Sequence, residues 1–149
     1  AMYCLTLSSD PRIFILQFRD RMTVSEARQG FVDIVAHPEF DPAIPIFAVL
    51  RGVTELVADF PGIFGAVQAV RKQIKRFGPG SKCVILAGNE VHYGVARMLE
   101  QIVDAMSQLR IRVVARADEA AKALGLTVEA LEALMQAAER ALPEGPPDA

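Results

Sequence analysis

Residues 83–115 read CVILAGNEVHYGVARMLEQIVDAMSQLRIRVVA. Cys83 to Ala87 is a continuous apolar run of the kind found in a strand covered on both faces. Val91 to Leu109 has the pattern of a helix, and Ile111 to Ala115 supplies another strand. Strand, helix and strand in this order predict a parallel core with right-handed crossovers. Toward the N-terminus, Gly78-Pro79-Gly80 stops a helix over Pro61 to Phe77. In that helix Ile63, Phe64, Val67, Val70, Ile74 and Phe77 return every three or four positions, with Arg71, Lys72, Lys75 and Arg76 between them. Ahead of it Pro42 and Pro45 bracket a linker, and Ile46 to Leu50 is a central strand.

The first third of the chain adds a hairpin and a helix. Tyr3 to Leu7 and Arg12 to Phe18 are β-rich runs separated by Ser8, Ser9, Asp10 and Pro11, whose turn chemistry suits antiparallel pairing. Thr23 with Glu26 is a capping box, since each side chain can satisfy a backbone N–H of the other residue. The helix it opens runs from Val24 to Ala36 and ends at His37-Pro38, because proline cannot extend it. At the other end, Asp118 to Leu124 is a short helix closed by Gly125 as a left-handed cap, and Thr127 opens a final helix. The face of Val128, Leu131, Leu134, Met135 and Leu142 needs a covering surface, either the domain itself or a second copy. A homodimer through that helix is therefore expected.

A chain of 149 residues suits one domain rather than two. Sixteen basic against eighteen acidic residues leave a formal charge of -2, so no summed positive field favours nucleic acid. No apolar stretch reaches the roughly 20 residues of a membrane span, and no basic start precedes an apolar leader core, so a cytoplasmic location is expected. Ala1 before Met2 reads as the remnant of a cleaved tag. Cys4 and Cys83 lie in strand-like runs without the spacing of a zinc or redox motif, which predicts buried free thiols and no metal or other cofactor.

Several strings carry a family resemblance: Arg21-Met22-Thr23-Val24-Ser25-Glu26-Ala27, His37-Pro38-Glu39-Phe40, Leu50-Arg51 and Tyr93-Gly94-Val95-Ala96-Arg97-Met98. With the element order ββαβαβαβαα, they resemble the SpoIIAA-like branch of bacterial STAS domains (sulphate transporter and anti-sigma factor antagonist). The last string is the most specific. The resemblance covers about residues 3–126, which divides the chain into a STAS-like domain over 2–126, a helical extension over 127–142 and a flexible tail over 143–149. It implies a mixed α/β sheet of about five strands and a non-catalytic regulatory domain that binds a protein partner. In STAS antagonists an Asp-Ser-Ser-Gly turn carries the phosphorylated serine. Asp59-Phe60-Pro61-Gly62 stands in that place, so the switch is missing. Members of the branch also carry an acidic residue before Leu-Arg where this chain has Val49.

The residues offer candidate sites of their own. Arg51, Asp59, Asn89, His92, Tyr93 and Arg97 belong to the loops after the third and fourth strands, and open α/β sheets bind ligands at the carboxyl ends of their strands. Arg51 and Arg97 can grip a phosphate or carboxylate, or pair with Glu55, Asp59, Glu90 or Glu100 on a solvated surface. His92 can serve as a base or as a surface or capping residue, and Tyr93 as a stacking platform or a packing anchor. Arg71, Lys72 and Lys75 form a basic face for an acidic partner, a lipid headgroup or water. Gly78-Pro79-Gly80-Ser81-Lys82 is not a phosphate loop, because it follows a helix and enters a strand.

Three readings follow, in order of preference. The first is a protein-interaction domain using the second helix and its loop. The second is a carrier or sensor of a small lipid or nucleotide, because the resemblance extends to lipid-binding SEC14-like domains. It calls for an apolar cavity of about 300 Å³ or more between the second and third helices, which Phe60, Phe64 and Phe77 can line, although they more simply fill a core. The third is an enzyme working from Arg51, His92 and Arg97, for which no nucleophile or metal motif is present.

Overall fold

The computed structural model describes residues 3–142. The predicted tail, 143–149, lies outside them. The elements are β1 (Tyr3–Ser9), β2 (Arg12–Thr23), α1 (Val24–Ala36), β3 (Ile46–Val57), α2 (Phe60–Ala69) and α3 (Arg71–Ile74). They continue with β4 (Lys82–Leu86), α4 (Glu90–Asp104), β5 (Arg110–Val114), α5 (Ala117–Leu124) and α6 (Val128–Ala141). The five strands stand in their chain order. β1 pairs antiparallel with β2, and every later pair is parallel. This is the mixed α/β sheet expected from the sequence.

Alternation along each strand sends side chains to two faces. Phe14, Leu16, Ile46, Ala48, Leu50 and Ile85 point into a first core with the inner residues of α1, α2 and α4. Ile13, Ile15, Phe47, Val49, Val84 and Leu86 point into a second core with α5 and α6. Val49 is thus a core residue, 1 % exposed, which accounts for an apolar side chain at that position.

The local signals act as their chemistry dictates. Thr23 and Glu26 form the reciprocal capping box, with the Glu26 amide donating to Thr23 Oγ1 at 3.2 Å. Gly125 caps α5 at φ 71°, a backbone conformation that a β-carbon disfavours. Thr127 Oγ1 accepts from the Ala130 amide at the start of α6. Lys82 Nζ donates to the Ala123 carbonyl oxygen at 2.9 Å, so the lysine of the Gly-Pro-Gly-Ser-Lys string ties β4 to α5.

Other boundaries differ from the sequence reading. β2 and β3 extend to Thr23 and Val57 as a polar two-stranded arm, paired through two register shifts around Arg19 to Arg21. The predicted second helix is interrupted at Val70, whose φ of -111° and ψ of 17° are not helical. The Val70 amide is shared between the Ala66 and Val67 carbonyls, which tightens the last turn of α2 before α3 begins. The predicted third helix stops at Asp104, and Leu109 is buried in the connection to β5.

Most of the apolar face of α6 is covered by its own domain. Leu131, Met135 and Ala138 are all buried in the second core, and Leu142 is buried as well. Of the face that motivated a homodimer, Leu134 is half-buried and Val128 is 40 % exposed. Both cysteines are free thiols; each residue is half-buried, with the Cys83 side chain packed against the first core.

Candidate functional site

α2 and α4 both begin where parallel strands end, so their N-termini share the carboxyl edge of the sheet. Asp59 caps α2 by accepting from the Gly62 amide at 2.7 Å. Asn89 caps α4 by accepting from the His92 amide at 2.9 Å. Between them Gly88 runs so close to β3 that a β-carbon would lie 3.1 Å from the Leu50 carbonyl oxygen. The edge is closed by backbone and caps.

The candidate residues do not converge. His92 is buried, and its Nδ1 lies 3.3 Å from Asn89 Nδ2, so it belongs to the helix start rather than to the surface. Tyr93 packs, half-buried, against the first core. Arg97 pairs with Glu100 at 2.6 Å. Arg51 forms a two-pronged contact with Glu132 of α6, at 3.1 and 3.4 Å, a partner outside the acidic residues expected for it. Because α6 and α4 cover opposite faces, the two arginines do not form one anion grip. Arg51 also lines a polar cleft at the rim of the second face, beside Gln17, Gly52 and Glu139.

A different constellation occupies the outside of α2 and α3. Phe60 and Phe64 stack at 6.1 Å between ring centroids, yet they are 53 % and 46 % exposed. Ile63, Val67, Val70 and Ile74 take the inward side. Phe60, Phe64 and Gln68 recur every fourth residue, and Arg71, Lys72 and Lys75 continue the exposed surface. Among the described residues none of these three cations has an ion-pair partner. Arg76 instead lies over the Phe40 ring, 4.9 Å from its centroid. Val57 and Val91, at the ends of β3 and the start of α4, are also exposed. Sequence periodicity assigns Phe64 to the buried stripe, whereas the structure places it outside.

Beneath α2 the first core leaves an apolar, partly open space of about 180 Å³, bounded by the sheet, α1, α2 and α4. Phe60, Phe64 and Phe77 do not line it; Phe77 fills the core against Phe31 and Phe40, the simpler reading of the sequence, whereas Phe60 and Phe64 are exposed. Cys83 faces the cavity, and burial pushes its thiol up to about 12, so it remains a neutral apolar group.

The comparisons address the fold. An uncharacterised protein of the DUF3478 family from Shewanella loihica PV-4, described as having a SpoIIAA-like fold, superimposes with a TM-score of 0.51. The match covers 82 % of this chain and 91 % of that one, at 11 % sequence identity. This chain has a SpoIIAA-like, STAS-type fold. No family model matches the sequence, and neither does any curated protein. Among the described residues no helix is long and apolar enough to cross a membrane. Nor is any group of three His, Cys, Asp or Glu side chains placed to hold a metal ion.

Proposed function

We propose that this SpoIIAA-like chain is a non-catalytic docking domain that holds a protein partner on the outer surface of α2 and α3. The observation that carries the reading is the stacked, exposed pair Phe60 and Phe64, followed along the same surface by Arg71, Lys72 and Lys75. Aromatic side chains in a compact patch are the usual anchors of protein interfaces, and cations beside them select the partner's charge and speed its encounter. The matching partner presents an apolar side chain to the two rings and carboxylates to the basic end. Pro61 at the start of α2 removes any hydroxyl switch there, so docking is independent of phosphorylation at that position.

The non-catalytic part of the reading rests on how the polar candidates are already engaged. Asp59 and Asn89 cap helices, and Arg51 and Arg97 pair with Glu132 and Glu100. A carrier of a whole lipid is less well supported, since about 180 Å³ falls short of the roughly 300 Å³ of an ordinary ligand pocket.

The test compares partner retention by the wild-type chain with three variants. Phe60→Ser/Phe64→Ser should abolish retention, Arg71→Glu/Lys75→Glu should weaken it more at low than at high salt, and Arg97→Ala should leave it unchanged. A partner held equally by all four chains would overturn the assignment of the surface. Sedimentation with anionic vesicles, lost in the phenylalanine variant, would assign the same surface to a membrane instead.

A further inference from the structure

The polar cleft at the rim of the second face has a buried floor and an exposed mouth. Gln17, Val49 and Met135 are the buried residues of its lining, and Arg51, Gly52 and Glu139 are the exposed ones. Strand parity explains the floor. Gln17 of β2 stands beside Val49 of β3 in register, and both share the face that α6 covers, where Met135 closes the cleft. The space is about 180 Å³, the share of about six water molecules in the liquid.

Its polar groups are unevenly satisfied. Gln17 is only 5 % exposed, yet among the described residues its Oε1 accepts no hydrogen bond. A buried acceptor without a donor is costly, so the floor calls for an N–H or O–H from whatever fills the cleft. Arg51 does not supply it, because both of its terminal nitrogens are committed to Glu132, and that pair cancels its own charge. Glu139 is different. Among the described residues it has no ion-pair partner, which leaves its carboxylate uncompensated at the mouth. It also stands in the last turn of α6, where the free carbonyls of a helix end add partial negative charge.

The cleft thus combines an unpaired buried acceptor, an unpaired anion and two apolar side chains. A primary ammonium carries several N–H donors on one charged atom, whereas a quaternary ammonium has the charge without a donor and an alcohol the donor without the charge. We infer that this cleft binds a small primary amine in its ammonium form, with N–H groups donated to Gln17 Oε1 and the Glu139 carboxylate and its hydrocarbon laid on Val49 and Met135. Binding is a simple association, and the ammonium keeps its protons. The site lies on the face opposite α2, so it stands independently of the docking surface.

The test titrates the full chain with butylammonium chloride, butyltrimethylammonium chloride and 1-butanol, followed by NMR of the Gln17 side-chain amide and the Met135 methyl group. Butylammonium should shift both signals saturably and bind about tenfold or more tightly than the other two probes. Glu139→Gln, an exposed change, should weaken butylammonium about tenfold, and Phe64→Ser should leave it unchanged. Gln17→Met keeps the length of the side chain without its acceptor. It should weaken butylammonium about tenfold, read at Met135, while leaving butyltrimethylammonium within about threefold. Shifts absent at tens of millimolar butylammonium, or confined to other surfaces, would overturn the site. Equal affinity for butyltrimethylammonium would overturn the hydrogen-bonded floor, and equal affinity for butanol would overturn the choice of a cation.

Discussion

The two faces of the sheet are filled in different ways. On the second face Ala120, Ala121 and Ala138, all 2 % exposed or less, leave room for Leu131 to be enclosed completely. The first face is covered by α1, α2 and α4 and retains about 180 Å³ of apolar space, whereas a similar volume at the rim of the second face is a polar cleft beside Gln17, Arg51 and Glu139. The second face opens only at that polar rim, and the first combines an apolar space beneath α2 with an exposed aromatic and basic exterior. The difference teaches where to look for function. Close packing lowers the free energy of the fold, whereas uncovered aromatics and unfilled space do not, so their presence calls for a partner or a ligand.

The largest difference between the faces should be chemical. Cys83 lines the first-face cavity, and Cys4 sits on β1 against the Ala138 carbonyl of α6, on the second face. Burial raises both thiols above the usual 9.0, and Cys83 to about 12. A rise from 9.0 to about 12 leaves roughly a thousandfold less thiolate at neutral pH, because each unit is a factor of ten. Iodoacetamide at pH 8 should therefore modify Cys4 well before Cys83, read by mass spectrometry of the digest. The sign of the pH dependence follows from thiolate formation. Cys83 modification should keep accelerating above pH 9 toward its own raised value, and rapid labelling at pH 8 would show a wetter, more open first face.

Truncation comes next in size. Leu131→Ala removes a side chain with no exposure and should cost about 2–5 kcal/mol in a denaturant titration. A smaller loss would mean that α6 contributes less to the fold than its burial implies. The smallest stability effect belongs to the exterior. Phe64→Ser should stay within about 0.5 kcal/mol of wild type, as surface changes do, even where it abolishes docking. Substantial destabilisation by that variant would return Phe64 to the core, where sequence periodicity alone had assigned it.

Much of this architecture is legible in the chain because local chemistry and global packing agree. The Thr23–Glu26 box, Gly125, Thr127 and the apolar runs at Ile46 to Leu50 and Cys83 to Ala87 each have one reading, and the structure has it. The arm of β2 and β3 is less legible. Residues such as Arg51, Thr54 and Glu55 are exposed and polar, and they pair as strands only because a neighbouring strand is supplied from a distant part of the sequence. The break at Val70 is hidden because the apolar stripe of Val67, Val70 and Ile74 continues across it.

The candidate site was less visible still. Arg51 and Arg97 belong to neighbouring strand-end regions yet lie on opposite faces, a matter of strand parity and helix placement that spacing alone does not reveal. A sharper sequence signal was available for the exterior. Phe60, Phe64 and Gln68 form the next i, i+4 row around the helix from Ile63 and Val67, and the polar Gln68 in that row marks its solvent side.

The contrast between the faces is tested most directly by one pair of small-to-large changes, Ala66→Leu under α2 and Ala121→Leu in α5, compared by thermal and denaturant unfolding. Filling the cavity should stabilise the first variant by about 0.5–2 kcal/mol, and overpacking should destabilise the second by about 1–3 kcal/mol. Opposite signs are the predicted result; equal destabilisation of both would contradict the account by showing that the first face is as closely packed as the second.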